Sequence, residues 1–428
     1  MRENKGITLI ALVITIIVML ILVVVTIRIS TKGGLFDYAG RAARETNDAI
    51  EEETDLANGK ITIGGVTYDS IDEYISKLTK NANNWDLAYV CNSGAWSKEI
   101  TDKNDAALTA SDIIIAKFYK TGNKITPTLD GATLDEGDAY ELVIEGTGAM
   151  GDLARFVIDI EYVKYAWQQS TITPYITKLV ISKGITNIPY YAFSDATSLT
   201  EITIPTSVTS IGDCAFAECT SLTEIAIPAS VTSIGGCAFM GCTSLTEIAI
   251  PTSVTSIDGG AFAECTSLTE IAIPTSVTSI GEAAFMGCTS LTEIAIPTSV
   301  TSIGAGAFIG CTSLTEIAIP TSVTNIPDFA FAACTSLTEI AIPTSVTSIG
   351  VGAFAGCTSL TEIAIPTSVT SIGAGAFMGC TSLTEITYNG TTAQWDSITK
   401  GILLEYNKTV IVHCTDGDIT LYYEEEKL

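Results

Sequence analysis

A unit of 23 residues, L-T-E-I-A-I-P-T-S-V-T-S-I-G-x-x-A-F-x-x-C-T-S, recurs nine times and fills about half of the chain. Its leading leucines stand at Leu199, Leu222, Leu245, Leu268, Leu291, Leu314, Leu337, Leu360 and Leu383. Its phenylalanines run from Phe193 and Phe216 to Phe377 at the same interval. A fixed period of this length specifies a solenoid, because one unit cannot bury its apolar face without a stacked neighbour. Within a unit, Ile225 and Ile227 alternate with Glu224 and Ala226, the period of a half-buried strand. Pro228 cannot donate to a ladder and ends it. Val231 and Ile234 form a second short extended piece. The next position is usually glycine (Gly212, Gly235, Gly281), yet Pro189 and Pro327 also occupy it, so glycine is not there to supply a positive φ. Proline there suits the first residue of a helical turn, which is expected to carry Ala238 and Phe239 inward. Cys242 and Leu245 close the coil. About seven buried apolar side chains per coil, at roughly 1.5–3 kcal/mol each, oppose the entropy of ordering the backbone.

Charge and histidine content exclude several function classes. The 428 residues carry a formal charge of −27, and no Lys or Arg lies between Lys183 and Lys400, whereas nucleic-acid binding needs a basic footprint. The single histidine, His413, cannot furnish a multi-histidine metal site, and a catalytic triad or dyad is equally remote. No catalytic, cofactor-binding or metal-ligating residue is assigned, and the chain is not expected to be an enzyme. Of twelve cysteines, eight recur once per unit from Cys219 to Cys380, which is a packing signature. Stacked equivalents would set Cβ atoms nearly 5 Å apart, beyond the usual 3.5–4.5 Å of a disulfide. Cys214 and Cys237 also stand 23 apart, and a disulfide between them is left open.

One glutamate per unit forms a column: Glu201, Glu224, Glu247, Glu270, Glu293, Glu316, Glu339, Glu362 and Glu385. It is expected on the solvent face of the strand, either as a solvated stripe or as an interaction stripe for a cationic partner. Carboxylates about 5 Å apart offer Ca²⁺ one or two of the six to eight oxygens it needs, so tight cation binding is not expected. Differences between units cluster around the phenylalanine, as at Asp213-Cys214, Glu282-Ala283 and Asp328-Phe329. A surface that repeats every ~4.8 Å suits a ligand that itself repeats, such as a polysaccharide.

At the amino terminus, residues 7–27 are uncharged and almost wholly apolar. As a helix they reach roughly 31 Å, enough to cross a bilayer core. Lys5-Gly6-Ile7-Thr8-Leu9-Ile10 resembles the cleavage motif of the prepilin-like leader family. The resemblance implies a prepilin peptidase cutting between Gly6 and Ile7, with the apolar helix retained as a membrane anchor. That family places glutamate at the fifth mature position, where Ala11 stands here, so filament assembly is left open. Arg2 and Lys5 favour an amino terminus inside the cell. The reading is then leader 1–6, transmembrane helix 7–32, helical linker 33–59 and a small α+β or β-rich domain 60–137. The small domain is expected to hold a hairpin of residues 61–63 and 66–68, a helix over 70–81, and strands at 87–91 and 113–119. A cap of the solenoid follows at 138–177, the repeats span 178–394, and 395–428 form a carboxy-terminal cap and acidic tail. That cap includes a closing hairpin of residues 409–412 and 419–422.

The unit resembles the BspA-like leucine-rich repeat family through its Leu-x-x-Ile-x-Ile-Pro, Val-Thr-x-Ile-Gly and Ala-Phe-x-x-Cys-x-x-Leu runs. With the caps, the resemblance covers residues 138–415. It implies a leucine-rich-repeat solenoid of parallel β with short helical or 3-10 turns, and bacterial surface proteins that bind other molecules. The expected protein is a single-pass membrane protein with its repeats outside the cell, mediating adhesion to an unidentified surface protein or polysaccharide. The alternative is a minor pilin or pseudopilin-like filament subunit carrying the solenoid as cargo.

Overall fold

The structure is a computed structural model, and it describes residues 61–63, 66–68, 85–92, 95–96, 101, 114–129, 132–150, 172–404 and 408–422. The leader cut at Gly6 and Ile7, the span at 7–32, the linker at 33–59, the helix over 70–81 and the tail beyond 422 lie outside the described residues. Two compact units divide the chain, Met1–Lys80 and Asn81–Leu428. In the first, Ile61–Ile63 pairs antiparallel with Val66–Tyr68, the hairpin that the sequence predicts.

The second unit contains the solenoid. In a representative coil, Leu268, Ile271, Ile273, Val277, Ile280, Ala284, Phe285 and Cys288 are all buried. The phenylalanine rings stack one per coil from Phe193 to Phe377, with centroids 5.5–5.8 Å apart. That spacing with near-parallel planes is offset stacking, the arrangement the ring quadrupole favours. Ser-Ile and Asn-Ile pairs such as Ser279–Ile280 form a parallel ladder along one side, each coil registered 23 residues from the last. The glutamate-bearing strand is fully formed only toward the ends, at Glu201–Thr203, Glu362–Ile365 and Glu385–Tyr388. Between them it narrows to single bridges, as at Ala249, Ala272 and Ala295.

The helical turn expected at Ala238-Phe239 is instead a series of separate turns. The amides of Ala238, Met240 and Cys242 donate to the carbonyls of Gly235, Cys237 and Phe239, three residues back. The intervening amides of Cys237, Phe239 and Gly241 donate outward to Gly259, Ala261 and Ala263 of the next coil. Inter-coil bonding therefore takes the donors a helix would use. It does so through left-handed residues, Cys237 at φ 53° and Gly241 at φ 72°.

Both ends of the solenoid are covered. Glu201–Thr203, Ile176–Ile181 and Gly137–Gly146 run parallel, and Ile114–Ile125 and Leu87–Asn92 then continue the same sheet antiparallel. The strands expected at 87–91 and 113–119 are thus joined to the first coil by backbone bonds. At the other end, Thr409–Cys414 pairs with Glu385–Tyr388 and turns back as Gly417–Tyr422, the expected closing hairpin. A short helix at Thr392–Ser397 precedes it, capped by reciprocal bonds between Thr391 and Gln394, and it buries Trp395 completely. Among the described residues, no helix is long and apolar enough to cross a membrane.

Candidate interaction surface

The surface is built by the strand pattern of each unit. Leucine and the two isoleucines of L-T-E-I-A-I turn inward, so Thr, Glu and Ala turn outward; Thr269, Glu270 and Ala272 are exposed. All nine glutamates of the predicted column are exposed. Where the strand is formed they stand directly in register, Glu362 opposite Glu385. Beside them the threonines are tied from coil to coil: Thr246 Oγ1 donates to the Thr223 carbonyl at 3.3 Å, and Thr269 Oγ1 to that of Thr246 at 3.4 Å. The outcome is an exposed face of Thr, Glu and Ala in which threonine amides and hydroxyls bond to the neighbouring coil.

Side chains that can pair with a carboxylate meet the stripe at each end. Lys178 takes the register position before Glu201, 2.8 Å from its carboxylate and 3.9 Å from that of Glu141. Nearby, Lys117 pairs with Glu145 at 2.6 Å. Lys124 and Lys120 hold the Asp138 carboxyl below its usual value. At the far end, His413 Nδ1 lies 2.9 Å from Asp418 and its Nε2 3.8 Å from Glu385. From Glu224 to Glu362 the sequence supplies no cation.

The cysteine column is internal, as expected. Each thiol donates to a phenylalanine carbonyl of the preceding coil, Cys288 Sγ to Phe262 at 3.1 Å and Cys311 Sγ to Phe285 at 3.2 Å. Burial pushes the Cys288 and Cys334 thiols up to about 12, so they remain protonated and unsuited to metal ligation. Cys214 and Cys237, whose pairing the sequence leaves open, are both free thiols. Burial pushes Cys214 up to about 11, while hydrogen bonding with Tyr191 pulls it down and the Cys237 thiol beside it pushes it up. Among the described residues, no group of His, Cys, Asp and Glu is arranged to hold a metal ion.

Sequence reasoning placed Asp213 and Asp328 among variable surface positions. The structure gives them a bracing role: Asp213 Oδ1 accepts from the Gly236 amide at 2.8 Å, and Asp328 Oδ1 from that of Val351 at 2.7 Å. Around the same turns, Phe329, Val351 and Met378 are exposed apolar groups. The glycine that follows most Ser-Ile pairs also acquires a cause. A Cβ at Gly281 would stand 2.5 Å from the Gly259 amide nitrogen, and one at Gly212 2.6 Å from that of Tyr190. The preceding coil fills the space a side chain needs. The sequence carries the signal as a longer period that was missed: the non-glycine residues Pro189, Asp258 and Pro327 stand 69 apart.

The chain is similar to several solved structures. A leucine-rich repeat protein from Bacteroides ovatus shares 26% identity over 54% of this chain and 78% of its own, with a TM-score of 0.38. The leucine-rich repeat protein of T. pallidum shares 31% over 42% of this chain and 77% of its own, with a TM-score of 0.33. A leucine-rich cell surface protein from Faecalibacterium prausnitzii shares 27% over 66% of this chain and 97% of its own, with a TM-score of 0.32. No curated protein matches the chain. The family model for the BspA type leucine-rich repeat region matches residues 165–292 and 278–398, together more than half of the sequence. The recurring unit and that match agree, and the chain belongs to the BspA type leucine-rich repeat family.

Proposed function

We propose that this chain is a surface-displayed binding protein whose solenoid adheres to a protein or polysaccharide. The observation that carries the reading is the outward Thr-Glu-Ala face, presented coil after coil from Glu201 to Glu385 with no lysine or arginine from 184 to 399. A face repeating at strand spacing meets a ligand that repeats or one that is cationic, and it contains no distinct group for catalysis. The Faecalibacterium relative is described as a cell surface protein, and the same location is proposed here. The apolar residues 7–27 serve as the tether, and Lys5-Gly6-Ile7 as the processing site of a prepilin peptidase.

Amino-terminal sequencing and intact mass of native protein, with cell fractionation, test the tether. The expected mature chain begins at Ile7 and sediments with the membrane. A chain that retains Met1, or begins beyond residue 27, overturns the processing, and recovery along filaments favours a pilin-like subunit. Changing Glu270, Glu293 and Glu316 together to Gln tests the surface. Binding to cells or to an immobilised polysaccharide is expected to fall together with its salt dependence. Unchanged binding places the ligand away from the stripe.

A further inference from the structure

We propose that the solenoid is jointed, and that it opens first at two boundaries, ahead of the Leu245 coil and ahead of the Leu314 coil. Those coils carry Asp258 and Pro327 at the position where Gly212, Gly235, Gly281, Gly304, Gly350 and Gly373 stand elsewhere. At each of these glycines the amide donates to the isoleucine carbonyl of the preceding coil, as Gly281 does to Ile257 and Gly304 to Ile280. Proline has no amide hydrogen, and a Cβ at this position falls on the previous coil's backbone at a distance that forces the two apart.

The interruption is seen on both strand ladders. The Ser-Ile ladder divides into three sheets, and the divisions fall between Ser233–Ile234 and Ser256–Ile257 and between Ser302–Ile303 and Asn325–Ile326. The alanine bridges run as Ala249-Ala272-Ala295 and Ala318-Ala341-Ala364, so they too are absent at both boundaries, as they are around Ala226. Threonine amides follow suit. Thr232, Thr278, Thr301, Thr347 and Thr370 each donate to the threonine 23 residues earlier, a bond missing at Thr255 and Thr324 among the described residues. Pro189, the third non-glycine residue of the 69-residue period, stands where the first of the three sheets begins. The phenylalanine side runs on unbroken: Phe239 bonds Ala261 at 2.9 Å and Phe308 bonds Ala330 at 2.9 Å across the same boundaries. Each joint keeps its phenylalanine spine and the threonine bonds ahead of the glutamates, Thr246 to Thr223 and Thr315 to Thr292, but is open along the Ser-Ile ladder, so the coils part there while the phenylalanine column acts as the hinge. The body of the solenoid is a set of three-coil blocks.

Hydrogen exchange on the full chain tests this, because the sequences around Asp258 and Pro327 differ from every other coil and can be read separately. The Thr255 and Thr324 amides are expected to exchange at least tenfold faster than those of Thr278 and Thr301. Asp258→Gly is expected to slow Thr255 to the rate of Thr278 and leave Thr324 fast. Gly281→Asp is expected to create a new joint and accelerate Thr278. Equal protection of Thr255 and Thr278 in the parent chain overturns the proposal. So does an Asp258→Gly change that leaves Thr255 unaltered or slows every coil equally.

Discussion

Phe285 lies between Phe262 and Phe308, 5.6 Å and 5.5 Å from their centroids, and has no exposed surface. Phe285→Ala leaves a cavity that neighbouring coils cannot close without breaking their own ladders. It is expected to cost about 3–5 kcal/mol in equilibrium denaturation, and a loss under about 1 kcal/mol would contradict the stacked column. Two residues earlier, Ala283 is held at φ 53°, a conformation that costs an L-residue roughly 1–2 kcal/mol. Gly260, Gly306, Gly352 and Gly375 hold the same place in other coils. Ala283→Gly is therefore expected to raise the midpoint of unfolding slightly, the relief exceeding the ~0.5–1 kcal/mol entropic cost of glycine. A lowered midpoint would mean that the Ala283 side chain contributes packing that outweighs its backbone strain. Buried identities were legible in the sequence because a column of phenylalanines has one explanation. The left-handed positions were not, because Cys214, Cys237, Ala283 and Phe329 share that column with the glycines and hide its common backbone.

The strand elements show where a repeat misleads. The sequence of the glutamate strand is nearly constant, yet its pairing changes from four residues at Glu362–Ile365 to isolated bridges at Ala272. Local alternation sets which side chains face inward. It does not set how far the ladder extends: Ala272 and Ala295 share a single bridge although both coils carry glycine after Ser-Ile. The cysteine column behaves as an element of its own and makes a test by pH. Seven thiols, from Cys219 to Cys357, are raised above the ordinary value of 9.0 by burial, with Cys288 pushed up to about 12. Below pH 9 the folded and unfolded chains bind the same thiol protons, so the column adds no pH dependence there. Between about 9 and 12 the unfolded chain releases protons that the folded chain retains, so stability falls as pH rises. Each thiol contributes a slope of up to about 1.4 kcal/mol per pH unit. Circular dichroism between pH 8 and 11 is expected to show a steep, cooperative loss of structure, moved to higher pH by Cys288→Ala and Cys311→Ala together. A column that reacts with a thiol reagent at pH 8 in the folded state would show that it is not sealed.

At the scale of the whole molecule, positive charge lies outside the coils, with Lys400 and Lys408 after them. Lysines gather before the coils, at Lys117, Lys120, Lys124 and Lys178, while residues 184–399 hold acidic groups alone. The composition made the acidity of the repeats legible, but not the bracing of coils by Asp213 and Asp328, since a carboxylate in a variable turn reads as solvated until its neighbour's amide is placed. Stacked glutamates at strand spacing repel by about 0.8 kcal/mol per neighbouring pair before screening, in water. Ions at about 0.15 M screen over roughly 8 Å, more than the separation of neighbours but less than that of second neighbours, so salt removes the longer-range part of the repulsion first. Added NaCl is therefore expected to raise the melting temperature of the full chain. Replacing Glu270, Glu293 and Glu316 with Gln is expected to raise it at low salt and to shrink its salt dependence. Lys178→Gln acts in the opposite sense: it strips Glu201 and Glu141 of their shared partner, and is expected to lower the melting temperature at low salt and enlarge the response to NaCl. A melting temperature that falls with added salt in the parent chain would mean that ion pairs outweigh the stripe, and that the acidic face is balanced within the molecule instead of being presented to a partner.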